Sequence, residues 1–278
     1  MNPNSRFVAA NGLNLHLLDF GNEAGPGVLC IHGLTGNAHH FDALAPHLSG
    51  RYHVISLDVR GRGDSQWGSP FDYTLPVYVK DLAAILDRLG LARVSLIGTS
   101  MGGLISMLFA GEKPERVERI VLNDIGPEID PRGLARIAAY VGNAPAKFAG
   151  LEAVVKYYLE TYPPCRQWPR DLLAQWAATA VKPTGDGNLT WKMDPAVRRP
   201  VAGAIPAQPV DLWGSYGRIR APLLVVRGAE TDILSESALR RMRREQPGLE
   251  VAEVPGVGHA PTLLEPQALS AIKRFLGC

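Results

Sequence analysis

Four stretches of this 278-residue chain carry side chains that could do chemistry together. The first is Val94-Ser95-Leu96-Ile97-Gly98-Thr99-Ser100-Met101-Gly102-Gly103, followed by Leu104, Ile105, Leu108 and Phe109 at helical spacing. An apolar strand, a Gly-x-Ser-x-Gly turn and a helix, in that order, push a serine hydroxyl out at the tip of a strained turn. The glycines at 98 and 102 leave room for strand and helix to approach each other. The helix N-terminus adds positive potential where negative charge would develop. The second stretch, Val28-Leu29-Cys30-Ile31-His32-Gly33-Leu34-Thr35-Gly36, reads as a buried strand ending in a glycine-rich turn. Such a turn can offer a backbone N–H to a carbonyl oxygen as it becomes an oxyanion, and the expected donors are the amides of Leu34 and Met101. His32 is expected to brace this loop through hydrogen bonds.

The third stretch, Gly256-Val257-Gly258-His259-Ala260-Pro261, follows the last strand-like run and lets an imidazole reach a distant serine. The fourth supplies an acid to orient that imidazole. Asp232 follows the run Leu223–Val226, Asp124 follows Ile120–Leu122, and Glu230 is a weaker choice. Asp232 is the preferred acid and Asp124 the alternative, with chain order Ser100, Asp232, His259 as this kind of turn expects. A Ser–His–Asp set of this type performs nucleophilic acyl transfer.

Positioning these groups requires a sheet with its functional loops at one edge. Strand-like runs occur at Phe7–Ala10, Leu13–Phe20, Val28–Ile31, His53–Val59, Val94–Ile97, Ile120–Leu122, Leu223–Val226 and Glu250–Val254. Asn11-Gly12 joins the first two as a hairpin turn. Between later runs the periodicity becomes helical: Val79, Leu82, Ile85, Leu86 and Leu89 share a face, and Gly90 follows as a stop. Alternating strands and helices imply a mainly parallel sheet covered on both faces. The alternation breaks from about Asp130 to Trp213, a segment rich in helix formers, proline and the aromatics Tyr157, Tyr158, Trp168, Trp176 and Trp191. Residues 1–130 and 214–278 are therefore expected to form the core, and 131–213 a helical insertion. Some of its aromatics should build the insertion's own core and others an apolar pocket above Ser100. A charged substrate would need a cation there, for example Lys192 or Arg198.

Composition narrows the classes. Hydrophobic residues make up 46% and charged residues 20% of the chain, as in a folded globular protein. A net charge of +2 argues against a dedicated nucleic-acid binder. The basic cluster Arg240, Arg241, Arg243 and Arg244 reads as a solvated helix surface. No apolar run reaches the length of a membrane span, and the polar start lacks a signal-peptide stretch, so a cytoplasmic location is expected. Three widely spaced cysteines form no metal or disulfide framework. The histidines at 16, 39, 40, 47 and 53 are read as structural or solvated, with His39, His40 and His47 on a surface helix.

Taken together, the elbow at Ser100, the glycine-rich turn after Ile31, the loops bearing Asp232 and His259, and the Asp58–Ser65 loop closely resemble the α/β-hydrolase superfamily. The resemblance covers about residues 7–130 and 214–278. It implies a mostly parallel eight-stranded sheet flanked by helices, a variable cap at 131–213, and no metal or organic cofactor. The Asp58–Ser65 loop is read as structural. Serine rather than aspartate at position 100 disfavours dehalogenase and epoxide-hydrolase chemistry. Hydrolysis of a carboxylic ester of a small or medium, largely apolar molecule is the favoured activity. Lactone opening, carbon–carbon bond hydrolysis, acyl transfer, perhydrolysis and a ligand sensor that retains the triad are the alternatives.

Overall fold

The computed structural model describes residues 3–198 and 210–278. Its strands are β1 (Asn4–Ala10), β2 (Leu13–Asp19), β3 (Gly27–Ile31), β4 (His53–Leu57), β5 (Val94–Thr99), β6 (Val117–Asn123), β7 (Lys147–Phe148), β8 (Val181–Pro183), β9 (Leu189–Trp191), β10 (Leu223–Gly228) and β11 (Glu250–Val254). Its α-helices are α1 (Leu75–Arg88), α2 (Met101–Glu112), α3 (Pro131–Gly142), α4 (Leu151–Thr161), α5 (Arg170–Ala180), α6 (Leu212–Gly217), α7 (Glu236–Glu245) and α8 (Pro266–Leu276).

Eight strands form one sheet in the order β1-β2-β4-β3-β5-β6-β10-β11. The first two make an antiparallel hairpin closed at Asn11-Gly12, β2 meets β4 antiparallel, and all later pairings are parallel. The expected mostly parallel sheet is present. Its central strands are apolar on both faces because helices cover both. Within β3, Leu29 and Ile31 join the cluster that includes Leu82 and Ile85 of α1 and Ile105 and Phe109 of α2. Val28 and Cys30, pointing the other way, pack with Ile272 and Phe275 of α8. Helix α1 stops at the expected place, with Gly90 at φ +67° turning the chain.

Between β6 and β10 the chain builds a separate layer. Helices α3, α4 and α5 are joined by a small antiparallel sheet, β7-β9-β8, which the helical composition of this stretch did not announce. Phe148, Val154, Ala177, Val181, Trp191 and Met193 form its own core. The expected insertion ran over 131–213, of which 199–209 lie outside the described residues.

Histidines 39, 40 and 47 do not lie on a surface α-helix. They sit in two short 3-10 turns, Ala38–Phe41 and Ala45–His47, whose Ala38, Phe41 and Ala45 are buried. The Asp58–Ser65 loop is a hydrogen-bonded brace. The Asp58 carboxylate accepts from the amides of Ala38 (2.6 Å) and Asp64 (2.9 Å) and bonds His16 Nδ1 at 2.7 Å. The ligand atoms of His16, Asp58 and Asp64 lie within 4.8 Å of one another, and these internal bonds already occupy Asp58. The four arginines of α7 behave as a surface: Arg240 and Arg241 pair with Glu236 and Glu245 on the same helix.

Candidate active site

Strand β5 ends at Thr99 and α2 begins at Met101, so Ser100 alone makes the turn. Its φ of 50° and ψ of −115° place a non-glycine residue in a disfavoured region. The turn survives because its flanks are glycine. A Cβ on Gly98 would lie 2.4 Å from the Gly102 carbonyl oxygen, and a Cβ on Gly102 would lie 2.0 Å from that of Ile31. Strand and helix can meet this closely only without side chains.

Ser100 Oγ lies 3.0 Å from Nε2 of His259. The imidazole is held from its other side: Nδ1 lies 2.8 Å from Oδ2 of Asp124. Asp124 is completely buried and its carboxylate is fully used. Oδ1 accepts from the Gly228 amide at 2.9 Å, and Oδ2 also accepts from the Thr231 hydroxyl at 2.6 Å. These bonds fix the carboxylate against the imidazole, and they favour the tautomer that carries its proton on Nδ1 and leaves Nε2 open to the serine.

The expectation that Asp232 faces His259 is corrected by this geometry. Strand β6 lies directly beside β5, and Asp124 is the first residue beyond it, so its carboxylate starts next to the serine turn. Asp232 lies four residues beyond the end of β10 and turns toward the cap, where it makes a two-pronged pair with Arg136 of α3 at 2.5 and 2.7 Å. That guanidinium, ahead of all other influences, holds the Asp232 carboxyl below the usual carboxylate range. Asp124 itself has φ 55°, a left-handed conformation that aspartate tolerates better than most residues.

Leu34 lies on the wall of the cavity that contains Ser100. Met101 opens α2, where an amide has no acceptor within its own helix. His32 braces the loop as expected. Its Nδ1–H donates to the Gly33 carbonyl at 2.7 Å, and Nε2 accepts from the Val59 amide at 3.0 Å. Burial lowers its pKa to about 4, so it stays neutral.

Two cavities meet at His259. The inner one, about 70 Å³, is lined by Ser100, Leu34, Tyr140, Tyr158, Tyr162 and Trp176, among others. The outer one, about 500 Å³, runs past Arg136, Pro164, Trp168, Asp232, Val257 and Leu264. The cap aromatics thus divide. Trp191 belongs to the cap core, Trp168 lines the outer groove, and Trp176 lines the inner cavity, stacked on His40 with ring centroids 3.4 Å apart. Neither expected cap cation reaches the inner cavity: Lys192 pairs with Asp64, and Arg198 lies over Trp191. His40, Tyr140, Thr161 and Tyr162 were not singled out from the sequence. The readable signal was the cluster Tyr158, Thr161 and Tyr162, of which the first two lie one turn apart on α4 and the third caps it.

A serine turn on a parallel sheet, a histidine from the last loop and a buried aspartate thus lie within hydrogen-bond reach of one another. The α/β-hydrolase-fold family profile matches residues 26–266, and the chain belongs to that family. A 3-hydroxybutyrate-oligomer hydrolase of Cupriavidus necator is 38% identical over 92% of this chain and 90% of its own length. A 2-(acetamidomethylene)succinate hydrolase of Mesorhizobium japonicum is 30% identical over 98% and 95%. Among solved structures, an α/β hydrolase from Novosphingobium aromaticivorans superposes with a TM-score of 0.90 at 36% identity, covering 99% of this chain and 98% of that one. No helix among the described residues is long and apolar enough to cross a membrane.

Proposed function

We propose that the chain hydrolyses carboxylic esters with short acyl groups through an acyl-enzyme on Ser100. The observation that carries this reading is the unbroken series Ser100 Oγ–His259–Asp124, at 3.0 and 2.8 Å, opening into a small cavity. His259 takes the serine proton as Oγ bonds to the ester carbonyl carbon, and the amides of Leu34 and Met101 hold the oxyanion. When the carbon–oxygen bond to the alcohol breaks, His259 returns the proton to the leaving alkoxide. A water molecule, deprotonated by the same imidazole, then attacks the acyl-enzyme and frees the acid and Ser100. Asp124 holds the ring and stabilises its charged form. No step calls on a metal or organic cofactor.

The two cavities divide the substrate. The inner one, about 70 Å³, suits an acyl group of few carbons, while the open groove of about 500 Å³ suits a longer alcohol. The 38%-identical relative is named for hydrolysing 3-hydroxybutyrate oligomers, and an oligomer of a hydroxy acid is joined by ester bonds. Carbon–carbon bond hydrolysis of dienoates fits less well, because among the described residues no lysine or arginine lines the inner cavity to meet a carboxylate, and Arg136 in the adjoining groove is already paired with Asp232. A panel of methyl esters, lactones and dienoates, run beside fluorophosphonate labelling, tests the reading. Turnover of short esters with label on Ser100 supports it. Turnover of the dienoates alone, or no label on Ser100, overturns it.

A further inference from the structure

The inner cavity contains more hydroxyl groups than an apolar acyl chain requires, and they differ in what they already bond. The Tyr157 hydroxyl donates to the Tyr140 carbonyl at 2.7 Å. The Tyr140 hydroxyl faces Thr35. The Tyr162 hydroxyl accepts from the Ala260 amide at 2.9 Å, which leaves its own proton free to donate. Tyr158 meets Tyr157 and Trp191 edge-on through its ring. Its hydroxyl makes no hydrogen bond to any described residue, although the side chain lines the cavity with Ser100. Thr161 stands between these two tyrosines in sequence and lines the same cavity. Its hydroxyl donates to the Tyr157 carbonyl at 2.6 Å and keeps lone pairs to accept.

Burial raises the pKa of both Tyr158 and Tyr162, so both phenols remain neutral donors. Polar groups in such surroundings are normally satisfied by a partner. The partner the cavity provides for is one that accepts from a phenol and donates to a threonine or phenol oxygen. A hydroxyl does both. A ketone and an ionised carboxylate only accept.

We propose that Tyr158 and Tyr162, with Thr161, form a subsite that recognises a hydroxyl carried by a short acyl chain, so that the preferred substrates are esters of small hydroxy acids. This rests on the ester-hydrolase reading above and adds to it the residues that choose the acyl group. The acyl hydroxyl accepts a hydrogen bond from Tyr158 or Tyr162 and donates one to Thr161 or Tyr158. A site built around such bonds discriminates strongly against the analogue that lacks the hydroxyl, because its own polar groups are then left unpaired.

The test compares methyl butanoate with its 2-hydroxy and 3-hydroxy derivatives, following acid release by titration. All three share one leaving group, so only the acyl side differs. In the full-length protein, kcat/KM for at least one hydroxylated ester should exceed that for methyl butanoate by about tenfold or more. Tyr158→Phe should lower that ratio by about tenfold, and Tyr162→Phe should lower it independently. Equal losses on hydroxylated and plain esters in both variants would assign the tyrosines a packing role and overturn the proposal. So would a wild-type protein that prefers methyl butanoate, a result that needs no variant to fold and leaves the ester-hydrolase reading intact. No turnover of any of the three esters, with Ser100 unlabelled by fluorophosphonate, would remove both readings together.

Discussion

Replacing Asp124 by asparagine changes one buried atom and should nearly stop the proposed reaction. The carboxylate receives bonds from Gly228, Thr231 and His259. In Asp124→Asn the Gly228 amide can keep its oxygen acceptor, which places the new NH₂ opposite Thr231 and His259. Thr231 can rotate its hydroxyl to accept. The imidazole can accept only by moving its proton to Nε2, and then it no longer takes the proton of Ser100. In a comparable triad this change lowers turnover about ten-thousandfold, or about 5 kcal/mol of transition-state stabilisation. The stability loss should be smaller, about 1–3 kcal/mol for one mismatched buried hydrogen bond. Asp232→Asn weakens a pair whose side chains are 30% and 33% exposed, so it should cost at most about 1 kcal/mol of stability and less than about tenfold in turnover. The assay is kcat on an activated short ester for both variants, after thermal unfolding confirms that each is folded. If well-folded Asp232→Asn loses more turnover than Asp124→Asn, the geometric assignment of the acid is wrong.

Ser100→Ala should abolish fluorophosphonate labelling and lower turnover by about a millionfold, as loss of the nucleophile does in a comparable enzyme; activity that persists, with label on another serine, refutes the nucleophile. Gly102→Ala should destabilise the protein by about 3 kcal/mol or more, since the new methyl carbon would sit 2.0 Å from the Ile31 carbonyl, and a urea midpoint within error of wild type contradicts that packing. Stability should also fall in acid through His32. Its folded pKa is lowered to about 4 against about 6.5 unfolded, so the unfolded chain binds the extra proton between those values, and stability present above about pH 6.5 is lost as pH falls toward 4. The loss is on the order of 3 kcal/mol, and half-buried His40, lowered in the same direction, adds to it. Urea midpoints from pH 7 to 4 should show the decline, with a shallower slope in His32→Gln; equal slopes remove His32 from the account.

The residues that were legible share a property: their signal is local. Ser100 is announced by the strand before it, the glycines beside it and the helix after it, all within about a dozen positions. The loop of His259 is announced by two glycines beyond the final strand. The parallel sheet follows from alternating periods, and its doubly buried centre from the unbroken apolar runs at Val28–Ile31 and Leu223–Val226. The choice between Asp124 and Asp232 has no such local signal. Both follow apolar runs, and both loops lead to the same edge of the sheet. What separates them is the lateral order β5-β6-β10, which puts β6 next to the serine-bearing strand, and the presence of Arg136 on a cap helix about a hundred positions from Asp232. Neither fact is written near either aspartate. The small sheet of the cap was hidden for a related reason: strands of two or three residues are too short to show a period.

The same distinction explains why fold and chemistry separate so cleanly from substrate in this chain. In the proposed reaction, attack, proton transfer and oxyanion binding need groups held to a fraction of an ångström, and the residues assigned to them sit at the ends of core strands and on the loops directly beyond them. The inner cavity is walled on one side by Leu34 and His40 from the core and on the other by Tyr140, Tyr158, Thr161, Tyr162 and Trp176 from the cap. Its shape depends on how α3, α4 and α5 lie over the sheet, and that packing rests on a cap with its own core and on contacts such as Arg136–Asp232. Asp232, displaced from the role its position suggested, pairs with Arg136 of the cap instead. It ties α3, which carries Tyr140, to the loop beyond β10, and so helps to set where the cap stands relative to Ser100.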